Sequence, residues 1–146
     1  MPRRILLFLL ALFFCTPVLA EAPTTPTPYI QLGDTDAIVG QIQDMLGIVE
    51  TNGDGTPAYG ERTTSAIEVL QEENQIDVTG DITPETLLLI MDIPADADGA
   101  SDLVWIPMHG GARYHANEDC SNMDAPRLVP RACATALEFT PCKRCY

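Results

Sequence analysis

The stretch from residue 103 to residue 146 carries four cysteines, Cys120, Cys133, Cys142 and Cys145, with one tryptophan and few large aliphatic side chains. So little apolar bulk cannot bury a core that holds a fold unaided, and a covalent or metal staple is expected. The spacing is specific: His115, four residues, Cys120; then Cys142, two residues, Cys145 in "TPCKRCY". A Cys-x-x-Cys loop turns two thiolates toward one ion, and a His/Cys pair completes a tetrahedron. The predicted ligands are therefore His115, Cys120, Cys142 and Cys145, with a structural zinc as the implied cofactor. Cys133 is left over. Disulfides are the competing reading, because four cysteines allow three pairings in an oxidising compartment and this reading employs Cys133. A thiol–disulfide oxidoreductase is disfavoured, since Cys142 and Cys145 follow an expected helix instead of opening one.

The compartment is read from the first segment. "MPRRILLFLLALFFCTPVLA" runs from two arginines through an apolar stretch to small residues, the order of a secretory signal, with cleavage expected after Ala20. The apolar run is too short for a comfortable membrane span, so no integral membrane segment is expected after signal removal. A secreted, periplasmic or wall-associated protein is implied. The Thr/Pro alternation that follows favours extended backbone, so residues 21–31 read as a spacer.

Charge divides the remainder. Without Arg3 and Arg4, six bases face 21 acids, a net charge of −15. Sixteen acids and one base, Arg62, lie between Glu21 and Ala100, against five acids and five bases from Ser101 onward. The acidic part lacks the clustered Lys and Arg that nucleic acid requires, so no nucleic-acid partner is expected. A polar break at residues 93–102 separates it from the tail, residues 103–146.

Residues 32–92 predict three helices. Ile38, Val39, Ile42, Met45, Leu46 and Val49 recur with helical spacing, and Thr63, Ala66, Ile67 and Leu70 share a second face. In "ITPETLLLI", Thr83 suits an N-cap, Pro84 the first helical position and Glu85 the positive end of the dipole. The tail predicts a hairpin, Val104–Ile106 returning through "HGG" to Arg113–His115, then a loop and a short helix opening at Pro130. The fold class is mainly α, a three-helix bundle followed by a small stapled α+β module.

These residues carry a resemblance. Gln43 and Leu46, a Gly-rich loop, Tyr59-Gly60, then Thr63, Ala66, Ile67 and Gln71, and finally "IDVTGDITPETLLLI" resemble a three-helix peptidoglycan-binding domain. It departs in a longer "ETNGDGTPA" loop and in Leu70, where many members carry Phe. The resemblance implies non-catalytic attachment to peptidoglycan, with contact residues unassigned. The tail, "YHANEDC…FTPCKRCY", resembles small modules at the ends of exported bacterial proteins and, distantly, the metal-binding domain of the Ada repair protein. There, a Cys-x-x-x-Cys replaces the Tyr-His…Cys.

"ETNGDGTPAYGE", Glu50–Glu61, has the oxygen spacing of an EF-hand loop, but Pro57 and Ala58 do not suit it, and a tight Asn-Gly-Asp-Gly turn is preferred. His109 reads as a surface residue and Trp105 as part of the tail's small core. No Ser/His/Asp arrangement, Walker loop or His-x-x-x-His pair is present, so no enzymatic activity is expected. The expected function is exported, non-catalytic peptidoglycan binding. The alternatives are a wall-anchored zinc-binding protein and a small wall hydrolase or thiol-redox accessory.

Overall fold

The computed structural model describes residues 29–146, and the expected signal segment and most of the spacer lie outside them. Its elements are α1 (Ala37–Leu46), α2 (Glu61–Glu73), α3 (Pro84–Ile90), β1 (Leu103–His109), β2 (Arg113–Tyr114), β3 (Asp124–Pro130), α4 (Arg131–Ala136) and β4 (Thr140–Pro141).

The helices form where the apolar spacing placed them. In α1, Ile38, Val39, Ile42 and Gln43 are buried, and the helix ends on Gly47 in the left-handed region at φ 68°. Val49 lies beyond that stop and is exposed, and Met45, still within the helix, is exposed as well, although the helical spacing puts both on the buried face. For α3, Thr83 caps the helix by accepting from the Thr86 N–H at 3.2 Å, and Pro84 opens it.

The start of α2 is capped from a distance. Gly60 at the N-cap position has no side chain, and the Glu50 carboxylate takes over. It accepts from the N–H groups of Gly60 (3.0 Å), Arg62 (3.1 Å) and Thr63 (2.9 Å), and from the Thr63 hydroxyl (2.7 Å). Any Cβ at Gly60 would stand 2.2 Å from a Glu50 carboxylate oxygen, so close approach is what demands glycine there. Burial works against the Glu50 charge, but these four donors outweigh it and hold its pKa below the ordinary value. Asp54 accepts from the Thr56 N–H at 2.9 Å within its own turn. The preferred turn reading of Glu50–Glu61 agrees with both carboxylates being committed to backbone donors.

Two glutamines tie the helical unit together. Gln71, fully buried, donates to the Asp81 carbonyl (2.8 Å) and toward the Thr86 and Thr79 hydroxyls (3.0 and 3.3 Å). Its oxygen accepts from the Thr79 and Gly80 N–H groups (2.9 and 3.0 Å). Gln43 donates to the Ala58 carbonyl and the Thr63 hydroxyl at 2.8 and 3.0 Å. The buried Tyr59 hydroxyl donates to the Gly80 carbonyl at 2.6 Å. These residues carried the family resemblance, and their observed work is architectural.

The tail's strand pairing departs from the expected hairpin. β1 pairs antiparallel with β3, residue for residue from Leu103 opposite Pro130 to His109 opposite Asp124, whereas "DAPRL" had been read as loop. β2 pairs in parallel with β4. Only Trp105 and His115 keep the expected return, exchanging N–H···O bonds of 2.9 and 2.8 Å. The prolines explain both the misreading and the outcome. Pro107 faces Pro126 in a two-stranded ribbon, where every strand is an edge and a missing N–H is tolerated. The short helix α4 forms as expected behind Pro130. Its first amides donate to the Asp102 and Gly99 carbonyls, at 2.7 and 3.1 Å, in the residue 93–102 segment.

The buried side chains form one cluster that includes Ile42, Ile67 and Leu87 of the helical unit and Val104, Ile106 and Val129 of the tail. α3 packs against β3. The Arg127 guanidinium of β3 grips Asp34 with two nitrogens, with the side chains 15% and 10% exposed. His109 also meets Asp36 at 3.0 Å.

Candidate metal centre

The strand pairings assemble four side chains from distant parts of the tail. His115 follows β2 directly, and its backbone is fixed on Trp105 of β1. Cys142 follows β4, and its N–H donates to the Tyr114 carbonyl at 3.0 Å. Cys120 lies in the turn beyond His115. Cys145 lies one tight turn beyond Cys142, its N–H donating to the Cys142 carbonyl at 3.3 Å. The parallel β2–β4 pair is thus the device that puts His115 beside Cys142.

The ligand atoms of His115, Cys120, Cys142 and Cys145 all lie within 4.8 Å of one another, a group that could hold a metal ion. Cys120 Sγ and Cys142 Sγ are 3.9 Å apart, as are Cys145 Sγ and His115 Nδ1. A tetrahedral ion with bonds of roughly 2.0–2.3 Å spaces its ligand atoms about 3.3–3.8 Å apart, whereas a disulfide needs about 2.05 Å. The donor set fits zinc in number and softness, and the two 3.9 Å contacts lie near that spacing. No sulfur pair among the described residues is bonded, and all four cysteines are free. Cys133 stands outside the group, fully buried on α4, with its thiol pushed up to about 12 by burial.

Electrostatics around the group suit a cation. Burial, with the Arg113 charge, lowers the His115 pKa and favours the neutral imidazole that a metal requires. The Cys142 thiol is lowered, chiefly by the Arg144 N–H donating to its sulfur at 3.5 Å. The Ala116 N–H donates to Cys145 Sγ at 3.4 Å. Cys120 is pushed up to about 12, first by its hydrogen bond to Cys145, then by burial and by Cys142. The Cys120 thiol thus resists ionisation until a positive ion joins the group. The Tyr146 ring meets Tyr114 edge-to-face, with centroids 5.3 Å apart.

Every predicted ligand falls into the cluster. His109 does not join it, because its ring is turned to Asp36. Trp105 is only half-buried. Sequence reasoning missed Asp34 and Arg127, whose contact spans 93 residues and leaves no local signal.

No helix among the described residues is long and apolar enough to cross a membrane. No curated protein and no solved structure matches the chain. Residues 35–90, the segment that holds α1, α2 and α3, match the family model of the peptidoglycan binding domain.

Proposed function

We propose that this protein is an exported, non-catalytic peptidoglycan-binding protein whose tail is held closed by a structural zinc on His115, Cys120, Cys142 and Cys145. The family match over residues 35–90 carries the wall-binding half of this reading. Location at the cell wall follows from the same match. The fourfold donor set supports the metal half. Four protein ligands leave no open coordination position, so a zinc there supplies folding energy to a small module and no reactive water. The chain's own residues prepare the site by presenting a neutral imidazole and by donating backbone N–H groups to sulfur.

The test is retention on purified sacculi at low and high ionic strength. The net charge, −13 for the full sequence and −15 without Arg3 and Arg4, opposes a polymer that bears carboxylates, so binding is expected to hold or strengthen with salt. No retention at either salt overturns the wall-binding reading. Native mass spectrometry is expected to find one zinc per chain and four alkylatable thiols after denaturation. A chain that instead carries bridged cysteines overturns the metal reading.

A further inference from the structure

We propose that the cleft beside the metal centre binds a carboxylate of the wall's peptide, with Arg113 as its anchor. This inference rests on the wall-binding reading and adds to it where the polymer's charge is received.

Cation pairing points to the place. The helical unit has one base, Arg62, which donates to the Val49 carbonyl at 3.3 Å amid sixteen acids between Glu21 and Ala100. Of the five bases in the tail, Arg127 is engaged by Asp34, and Arg131 by Asp98 and Asp102. Among the described residues, Arg62, Arg113, Lys143 and Arg144 form no ion pair with the chain's own carboxylates, and three of these four lie in the tail. A polyanionic polymer approaching this acidic protein therefore finds most of the unpaired positive charge of the described residues in the tail, with Arg62 alone among acids in the helical unit.

Arg113 is also built into a concavity. A cleft of about 460 Å³ lies between the Gly110-Gly111 turn and the loop after Cys120, with Arg113, Ser121, Asn122 and Thr140 on its walls. That volume falls within the usual range for small-ligand sites. One guanidinium nitrogen donates to the Pro141 carbonyl at 3.1 Å across the β2–β4 pair, which holds the side chain and leaves its other donors for a ligand. Asp124 is the single acid in the lining. A guanidinium fork with neighbouring hydroxyl and amide donors matches a carboxylate flanked by peptide groups. Arg113 and His115 both line this cleft. A role confined to balancing thiolate charge is thus the rival account, and the experiment separates the two.

The experiment titrates the metal-loaded mature chain with N-acetylmuramoyl-L-alanyl-D-isoglutamine, with the same compound amidated at its free carboxyl, and with citrate. Zinc content is measured in every variant. The acidic compound is expected to bind, and the amide and citrate to bind at least about tenfold more weakly. Arg113→Gln is expected to lose about tenfold or more in affinity with zinc content unchanged, and Arg113→Lys to recover part of the loss. Absence of binding by the wild-type chain, equal binding of acid and amide, or unchanged affinity in Arg113→Gln each overturns the proposal. Equal binding of citrate overturns the assignment to the wall. Loss of zinc together with affinity in both Arg113 variants assigns the residue to the metal centre and also overturns it. Sacculi retained equally by wild type and Arg113→Gln sink this inference alone, whereas sacculi not retained by the wild-type chain sink the wall-binding reading.

Discussion

The helical unit and the tail solve the same problem with different chemistry. In the first, the amides of Gln71 and Gln43, with the carboxylate of Glu50, satisfy loop and helix-end groups that would otherwise be buried unpaired. In the second, His115 is the one buried polar side chain among the described residues, and it converges with three cysteines in a group that could hold a metal ion. Polar networks of the first kind are built wholly from the chain and persist in any solution that keeps it folded. A thiol cluster depends on what it holds. The two regions should therefore fail separately under chemical attack, even though their apolar side chains form one cluster.

Chelation gives the largest expected difference. Removing zinc with a strong chelator, or replacing Cys142 with Ser, should release the tail, because structural zinc contributes on the order of 10 kcal/mol in small modules. Fluorescence of Trp105, whose backbone clamps His115, reports it. Amide exchange in α1 and α2 should rise far less than in β2 and β4. Equal loss of protection in both regions would show that the tail's clamp also holds the helices.

Next in size is the link between the regions. Asp34→Asn leaves the Arg127 guanidinium largely buried without its charge partner, at a cost of about 3–5 kcal/mol. Replacing both residues with apolar ones of similar volume should restore most of that. A double-mutant cycle by urea denaturation checks it, and additive losses would remove the pair from the account.

What was legible in the sequence follows the range of each interaction. Helix positions rest on apolar spacing and caps within a few residues, so α1, α2 and α3 were readable from Ile38, Ile42, Ile67 and Thr83. The convergence of His115, Cys120, Cys142 and Cys145 was readable because the spacings His115-x4-Cys120 and Cys142-x2-Cys145 are themselves the signal. The β1–β3 pairing was not, since Pro107, Pro126 and Pro130 argue against strands unless every strand is known to be an edge. Asp34 with Arg127 and Glu50 with Gly60 were equally hidden. Each joins residues whose neighbours in sequence give no reason to pair them.

A smaller effect is expected from Gln71→Ala, which strands the Thr79 and Gly80 N–H groups that its oxygen now serves. The loss should be roughly 2–4 kcal/mol in urea unfolding, with zinc content unchanged. If zinc falls as well, the two regions are more tightly coupled than their chemistry suggests.

The smallest effect concerns Glu50. Glu50→Gln retains the shape but loses the charged acceptor at the start of α2, and should cost about 1 kcal/mol. Because the folded-state pKa is lowered from 4.5, the carboxylate's contribution is complete above that value and is lost as pH falls through the lower folded value. Wild-type stability should therefore decline as the solution is acidified from about pH 5, and the Glu50→Gln variant should decline less over the same range. Comparing the two by thermal unfolding across that range isolates this carboxylate from the many others. Calcium should leave both melting temperatures unchanged, since the Glu50 oxygens are already occupied by backbone donors and the Thr63 hydroxyl. A calcium-dependent rise in the wild-type chain alone would mean that those oxygens leave the helix for an ion, and the cap would then be a switch in place of a fixed part of the fold.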